Sequence, residues 1–189
     1  ILIPMSYEYA EGYKIRDQGG THFLTFTVCG WIDIFSRKVY RDIILDSFDF
    51  CRKNKGLLVG AYVIMSNHIH VIWTAKNENL SDIIRDFKSY TSKRMFEALQ
   101  ASYESRREWM DYMFQYFARP SSQNLYFKMW TGDNHPEHIY SLDFLMTKLN
   151  YIHNNPVKAG LVELPEHYLY SSASNYILGK GMIEIDYLF

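Results

Sequence analysis

The chain has 189 residues, of which 48% are apolar, 17% aromatic and 22% charged. Those values exclude disorder for most of the chain, and the absence of any run of about 18 apolar residues excludes a helical membrane span. Twenty Lys and Arg against 21 Asp and Glu leave a net charge of −1. That excludes broad, charge-driven binding of nucleic acid but leaves room for a local basic groove. Cys29 and Cys51 are too few for a disulfide scaffold and too far apart for a paired metal ligand, so they read as buried thiols in a reducing cytoplasm. There is no secretory signal, and Met5 reads as the native start. The length suits one domain, 1–189, with an insertion.

Residues 1–20 are polar and Tyr-rich, end in Gly19-Gly20, and read as an N-terminal arm. His22–Val28 is β-branched and aromatic, the signature of a strand. Ser36 is a candidate N-cap for a helix whose apolar positions are Val39, Ile43, Ile44, Phe48 and Cys51, ending at Gly56. Leu57–Met65 and His68–Ala75 read as an antiparallel hairpin across a Ser66-Asn67 turn. Asn79 or Ser81 caps a second helix with the stripe Leu80, Ile83, Ile84, Phe87, Tyr90 or Thr91, Met95 and Ala98. Residues 99–123 lack a clean period and read as the insertion. Leu125–Trp130 reads as a short strand and Thr131–Pro136 as a loop. Ser141 caps a helix with the stripe Leu142, Leu145, Met146, Leu149 and Ile152, which Pro156 is expected to stop. The tail, 167–189, is aromatic and weakly organised. This order predicts an α+β fold, a ferredoxin-like antiparallel sheet with helices packed on one face.

Two constellations carry candidate chemistry. In His68-Ile69-His70 the imidazoles sit two apart on a strand, so both project from one face, and two neutral imidazoles side by side make half a metal site. An ordinary pair of histidines on a half-exposed strand is the plainer alternative. The second is Tyr151 with Asn155, four apart and so on one helix face. Tyr151 falls about 160° from the centre of the apolar stripe, so packing on that stripe does not account for it. Arg85, Lys88, Lys93 and Arg94 make one helix locally basic, although a solvated face explains them as well. Asp133, His135 and His138 read as a polar turn rather than a metal cluster. No GxGxxG, P-loop, GxSxG or HExxH occurs.

His68-Ile69-His70 followed by Tyr151-Ile152-His153-Asn154-Asn155-Pro156-Val157-Lys158-Ala159-Gly160 resembles the single-tyrosine transposases of the HUH endonuclease superfamily, above all the REP-associated tyrosine transposases. The resemblance runs from about His22 to about Tyr176. It implies a central antiparallel sheet and a divalent ion, Mg²⁺ or Mn²⁺, with His68, His70 and Asn155 as metal ligands and Tyr151 as nucleophile. It implies cleavage of single-stranded DNA beside a hairpin through a 5′-phosphotyrosine, with strand transfer to follow. Arg85, Lys88, Lys93, Lys148 and Lys158 are the candidate DNA contacts, and Lys148 lies one turn before Tyr151. The family contains both dimers that share sites and monomers that work in cis. Here the segment ahead of the tyrosine helix reads Lys128-Met129-Trp130-Thr131, where many relatives have a Trp-Gln-Arg type element. Two other readings fit parts of the pattern. One is a hairpin-binding regulator that has lost catalysis; the other is a metal hydrolase that takes a carboxylate from elsewhere.

Overall fold

The computed structural model describes residues 14–101, 104–120 and 126–188. Its sheet has four strands, β1 (His22–Thr27), β2 (Leu57–Ile64), β3 (His68–Ala75) and β4 (Glu137–His138), in the order β2-β3-β1-β4. All neighbours are antiparallel. The helices are α1 (Lys38–Lys55), α2 (Leu80–Ala101), α3 (Arg107–Ala118), α4 (Leu142–Lys158) and α5 (Ala173–Leu178). β1 and β2 run in the same direction with β3 between them, joined by α1, which is the split β-α-β arrangement of the ferredoxin-like class.

The expected hairpin holds. Met65 N–H donates to the His68 carbonyl at 2.9 Å, closing the Ser66-Asn67 turn. Strand alternation then sorts the side chains into two layers. Leu24, Phe26, Ile69, Val71 and Trp73 join the larger core with α1, α2 and Met110 and Phe114 of α3. Phe23, Ala61, Val63 and Ile72 form a second core with Leu145, Leu149 and Ile152 of α4. Helices on one face therefore describes α1 and α2, while α4 covers the opposite face. The register shifts between Val59 and Ala61, a bulge at Gly60 that re-phases β2 between these layers.

The helix ends differ from expectation in instructive ways. Gly56 ends α1 in the left-handed conformation, its N–H reaching the Cys51 carbonyl. Ser36, however, closes a preceding 3-10 turn by bonding the Asp33 carbonyl and does not cap α1. The buried face of α1 is Tyr40, Ile44, Ser47, Phe48 and Cys51, with Val39 exposed. At α2 the cap comes from outside the helix. Gln18 Oε1 accepts from Ser81 N–H at 2.8 Å and Gln18 Nε2 donates to Ser81 Oγ at 2.8 Å. Thr91 rather than Tyr90 lies on the α2 stripe, where its hydroxyl accepts from Trp130 Nε1 at 3.0 Å. Ser141 caps α4 as its sequence implies, accepting from Phe144 N–H at 3.2 Å. Pro156 does not stop α4, which runs on to Lys158. A proline in the last turn forfeits only the amide bond it would have given four residues back, too little to break a helix already docked by Leu145, Leu149 and Ile152. Each of those three buried side chains is worth about 1.5–3 kcal/mol.

Of the expected insertion, Leu99–Ala101 belong to α2 and 107–118 form α3, while 102–103 and 121–123 lie outside the described residues. Residues 1–13 of the arm lie outside them as well. The buried Glu104 carboxylate anchors the start of α3, taking Arg37 Nε at 2.8 Å and Arg106 Nε at 3.1 Å. No strand forms over 126–130. Trp130 alone pairs, as an isolated bridge to Val28, and Leu125 lies outside the described residues. The tail is better ordered than its sequence suggests and closes the β2 edge. Ile64 N–H donates to the Tyr170 carbonyl, Ser172 N–H to the Tyr62 carbonyl and Asp186 N–H to the Val59 carbonyl, each at 2.9 Å. Such pairing removes an open edge that would otherwise template aggregation.

Lys88 is a local fault in this packing. Its Nζ donates to the Thr131 carbonyl at 2.9 Å beneath the α2 layer, and burial pushes its ammonium down to about 8. A lysine depressed from its ordinary value near 10.5 opposes folding while it stays charged, and the penalty fades as pH rises from about 8 towards 10.5. Lys88→Met is therefore expected to stabilise the fold by about 1–3 kcal/mol at pH 7. The gain over the wild type should shrink by pH 10. Paired thermal unfolding of the two proteins at both pH values checks this, and a gain that does not depend on pH contradicts it.

Candidate active site

The site is built on the sheet face beneath α4. In the β1–β3 pairing Thr25 lies opposite His70 and Thr27 opposite His68. Both imidazoles therefore stand on the α4 side, while Ile69 and Val71 enter the other core. The rings of His68 and His70 are 4.8 Å apart. Tyr151, 40% exposed, leans from the flank of α4 so that its Oη is 3.4 Å from His70 Nε2. Phe23 packs against both rings, 5.4 Å from His70 and 5.9 Å from Tyr151. The off-stripe tyrosine thus sets its ring against His70 and Phe23 from the flank of the helix.

Second contacts fix the tautomer of His68 and commit Nδ1 of His70. Asn67 Nδ2 faces two acceptors, the Trp31 carbonyl at 3.3 Å and Asp33 Oδ1 at 3.2 Å, which fixes the orientation of the amide. Its Oδ1 must then accept from His68 Nδ1–H at 2.7 Å, leaving the lone pair on His68 Nε2. His70 Nδ1 pairs with the Thr25 hydroxyl at 2.9 Å, leaving Nε2 on the Tyr151 side. Burial is the main cause holding both imidazoles neutral. It lowers His68, and with help from His68 and Lys148 it pushes His70 down to about 3. His68 thus has one nitrogen committed and the other bare, the form that binds a metal, while His70 Nε2 faces the Tyr151 hydroxyl.

Asn155, half-buried, lies one turn beyond Tyr151 on the same flank of α4. Among the described residues no three His, Cys, Asp or Glu side chains come together as a metal group. The carboxamide of Asn155, on the same flank of α4 as Tyr151, could serve as a third, neutral donor beside the two imidazoles. This donor set fits a divalent ion that keeps open positions for other ligands.

The other candidate residues divide. Lys148 Nζ lies 4.5 Å over the Phe23 ring and pairs with Glu137 at 2.6 Å, clamping α4 to β4. Lys158 Nζ is 5.9 Å from the Tyr151 ring centre. Arg85, Lys88 and Lys93 are on α2, beyond the sheet from the imidazoles. Arg85 is paired with Asp82 and Asp86. Asp133 caps His135 N–H at 2.8 Å in a polar turn, as expected, and His138 sits apart from it beside Asp17 and His22. Thr25 and Asn67 escaped the sequence reading. Thr25 could have been found from its parity with Phe23 on β1, but only once the β1–β3 register was known.

The fold thus brings the two sequence elements that carry the resemblance, the paired strand imidazoles and the helical tyrosine, together over one sheet face. The profile of the family described as Transposase IS200 like matches residues 25–131, and the chain belongs to that family. The match takes in His68 and His70, while Tyr151 lies beyond it. The fold is also that of a REP-associated tyrosine transposase solved bound to a REP hairpin, at 18% identity and TM-score 0.60, covering 95% of this chain and 92% of that one. A proposed transposase of Deinococcus radiodurans R1 is similar at 17% identity and TM-score 0.44, covering 79% of this chain and 97% of that one. No curated protein matches. Among the described residues no helix is long and apolar enough to cross a membrane.

Thr25→Val keeps the shape of the side chain and removes the hydroxyl that orients His70. Mn²⁺ affinity measured by titration calorimetry is expected to fall about 10- to 100-fold. The fold should lose about 1–3 kcal/mol, because the buried His70 Nδ1 is left without a partner. Unchanged affinity would show that His70 does not depend on that hydrogen bond.

Proposed function

We propose that the protein is a metal-dependent single-stranded DNA endonuclease and strand transferase that cuts beside hairpins, with Tyr151 as nucleophile and His68, His70 and Asn155 as metal ligands. The observation that carries this reading is the approach of Tyr151 Oη to within 3.4 Å of His70 Nε2 in the same chain. Support for a hairpin substrate comes from the REP hairpin held by the structurally similar transposase.

His68, His70 and Asn155 would hold a divalent ion, Mg²⁺ or Mn²⁺, which would supply positive charge beside the scissile phosphate. All three ligands are neutral, so none of that charge is spent on the protein. The chain's own residues do the rest. Phe23 and His70 hold the Tyr151 ring from two sides, so its oxygen is presented to the phosphate rather than to solvent. The Tyr151 oxygen forms a bond to phosphorus as the bond from phosphorus to the 3′-oxygen of the preceding nucleotide breaks. The phenol proton is released to water, and the leaving oxygen takes up a proton as a free 3′-hydroxyl. The 5′-phosphotyrosine keeps the phosphodiester energy, so a second 3′-hydroxyl can displace the tyrosine and rejoin the strand without ATP.

The test is covalent trapping. With Mn²⁺ and labelled single-stranded hairpins from the sequence flanking the gene, the protein is expected to carry label through a denaturing gel. Tyr151→Phe should abolish the adduct and leave hairpin binding intact. An adduct that survives in Tyr151→Phe overturns the assignment of the nucleophile, and binding without any adduct in the wild type favours the non-catalytic regulator.

A further inference from the structure

We propose that Trp31 is a stacking platform for the nucleobase next to the scissile phosphate, an inference that rests on the single-stranded DNA reading above. The indole is 59% exposed and its ring lies 6.0 Å from that of His68, edge to face. A base is only one sugar away from its phosphate, so a phosphate beside His68 leaves its base within reach of this ring.

Trp31 is held in place rather than left loose. Its backbone has φ +55°, a left-handed conformation that a bulky residue adopts only when its surroundings impose it. Its N–H donates to the Val28 carbonyl at 3.0 Å and its carbonyl accepts from Asn67 Nδ2 at 3.3 Å. Asn67 also orients His68, so one amide ties the imidazole to the backbone of the turn that carries Trp31. Behind the turn, Gly30 has φ +65° and α3 is pressed against it. A Cβ there would meet Phe117 Cε2 at 2.6 Å. Arg106, leading into α3, donates to the Asp33 carbonyl at 3.4 Å and to Ser36 Oγ at 3.0 Å. The segment expected as an insertion thus buttresses the turn that presents Trp31.

Charge gives an independent reason. The net charge is −1, and beside the site Lys148 is paired with Glu137 while Lys158 lies by the Tyr151 ring. So small a set of cations calls for a second source of affinity for a single strand, and aromatic stacking is a sequence-tolerant one. An exposed indole beside the imidazoles, carried on a turn whose backbone is already fixed, meets that need, because the ordering of that backbone is met in folding rather than on binding.

The test uses the full chain carrying Tyr151→Phe, so that no strand is cut, with Mn²⁺ present. Fluorescence anisotropy compares oligothymidine of about 12 nucleotides with an abasic chain of the same length. With Trp31 present, oligothymidine should bind about 5- to 150-fold more tightly than the abasic chain. Trp31→Ala should erase that difference without changing abasic binding, and Trp31→Phe should keep most of it. Trp31→Gly should also erase it, with a melting temperature at or above that of Trp31→Ala, because glycine takes this φ without strain. Retention of the base preference in Trp31→Ala overturns the proposal, as does an equal loss on both chains. Equal binding of both chains by the parent protein overturns stacking but leaves the DNA reading standing. Binding of neither overturns both.

Discussion

The site depends on the register between β1 and β3. Thr25 faces His70 and Thr27 faces His68, so a slip of one residue would send Thr25 into the α1–α2 core and leave His70 without its hydroxyl. The register is well specified because the opposite face is apolar at every step. Leu24, Phe26, Ile69, Val71 and Trp73 all enter one core and tolerate no exchange with the polar set. The buried layer on one side of the sheet thereby fixes the chemistry on the other.

The second requirement is the seat of α4. Leu145, Leu149 and Ile152 dock it on Phe23, Ala61, Val63 and Ile72. That leaves Lys148, Tyr151 and Asn155 along one flank, and the Lys148–Glu137 pair ties the flank to β4. In the proposed mechanism the flank rather than the centre of the helix carries the chemistry. A residue at the centre would be sealed in the apolar layer, whereas one on the flank can reach both an imidazole and solvent. The tail adds a separate protection. By pairing with β2 through Tyr62, Ile64 and Val59, it leaves no long bare edge on the side away from β4.

Much of this was legible in the sequence where the cause is local. Alternation along His68-Ile69-His70, the Ser66-Asn67 turn, the Ser141 cap and the Gly56 stop each depend on a few neighbouring residues, and each stands in the structure. What was not legible depends on partners far along the chain. The α2 cap comes from Gln18 rather than from Asn79, and Tyr40 rather than Val39 turns into the core because the sheet selects the face of α1. β4 is two residues long, too short for any periodicity, and exists because β1 offers it an edge. Pro156 signals a stop locally, yet α4 is already docked when the chain reaches it. Thr25, Asn67 and Trp31 were invisible for the same reason, since their roles are set by residues across the sheet or across a turn.

The central claim is that one sheet register brings two imidazoles and a carboxamide on α4 around a single divalent ion. The most direct test is diffraction from Mn²⁺-soaked crystals at the manganese absorption edge. The account predicts one strong anomalous peak within coordination distance of His68 Nε2, His70 Nε2 and the side-chain oxygen of Asn155, with the Tyr151 oxygen beside it. A peak placed elsewhere, or one lost on mutating Asp133 or His135 but not His68, would contradict it.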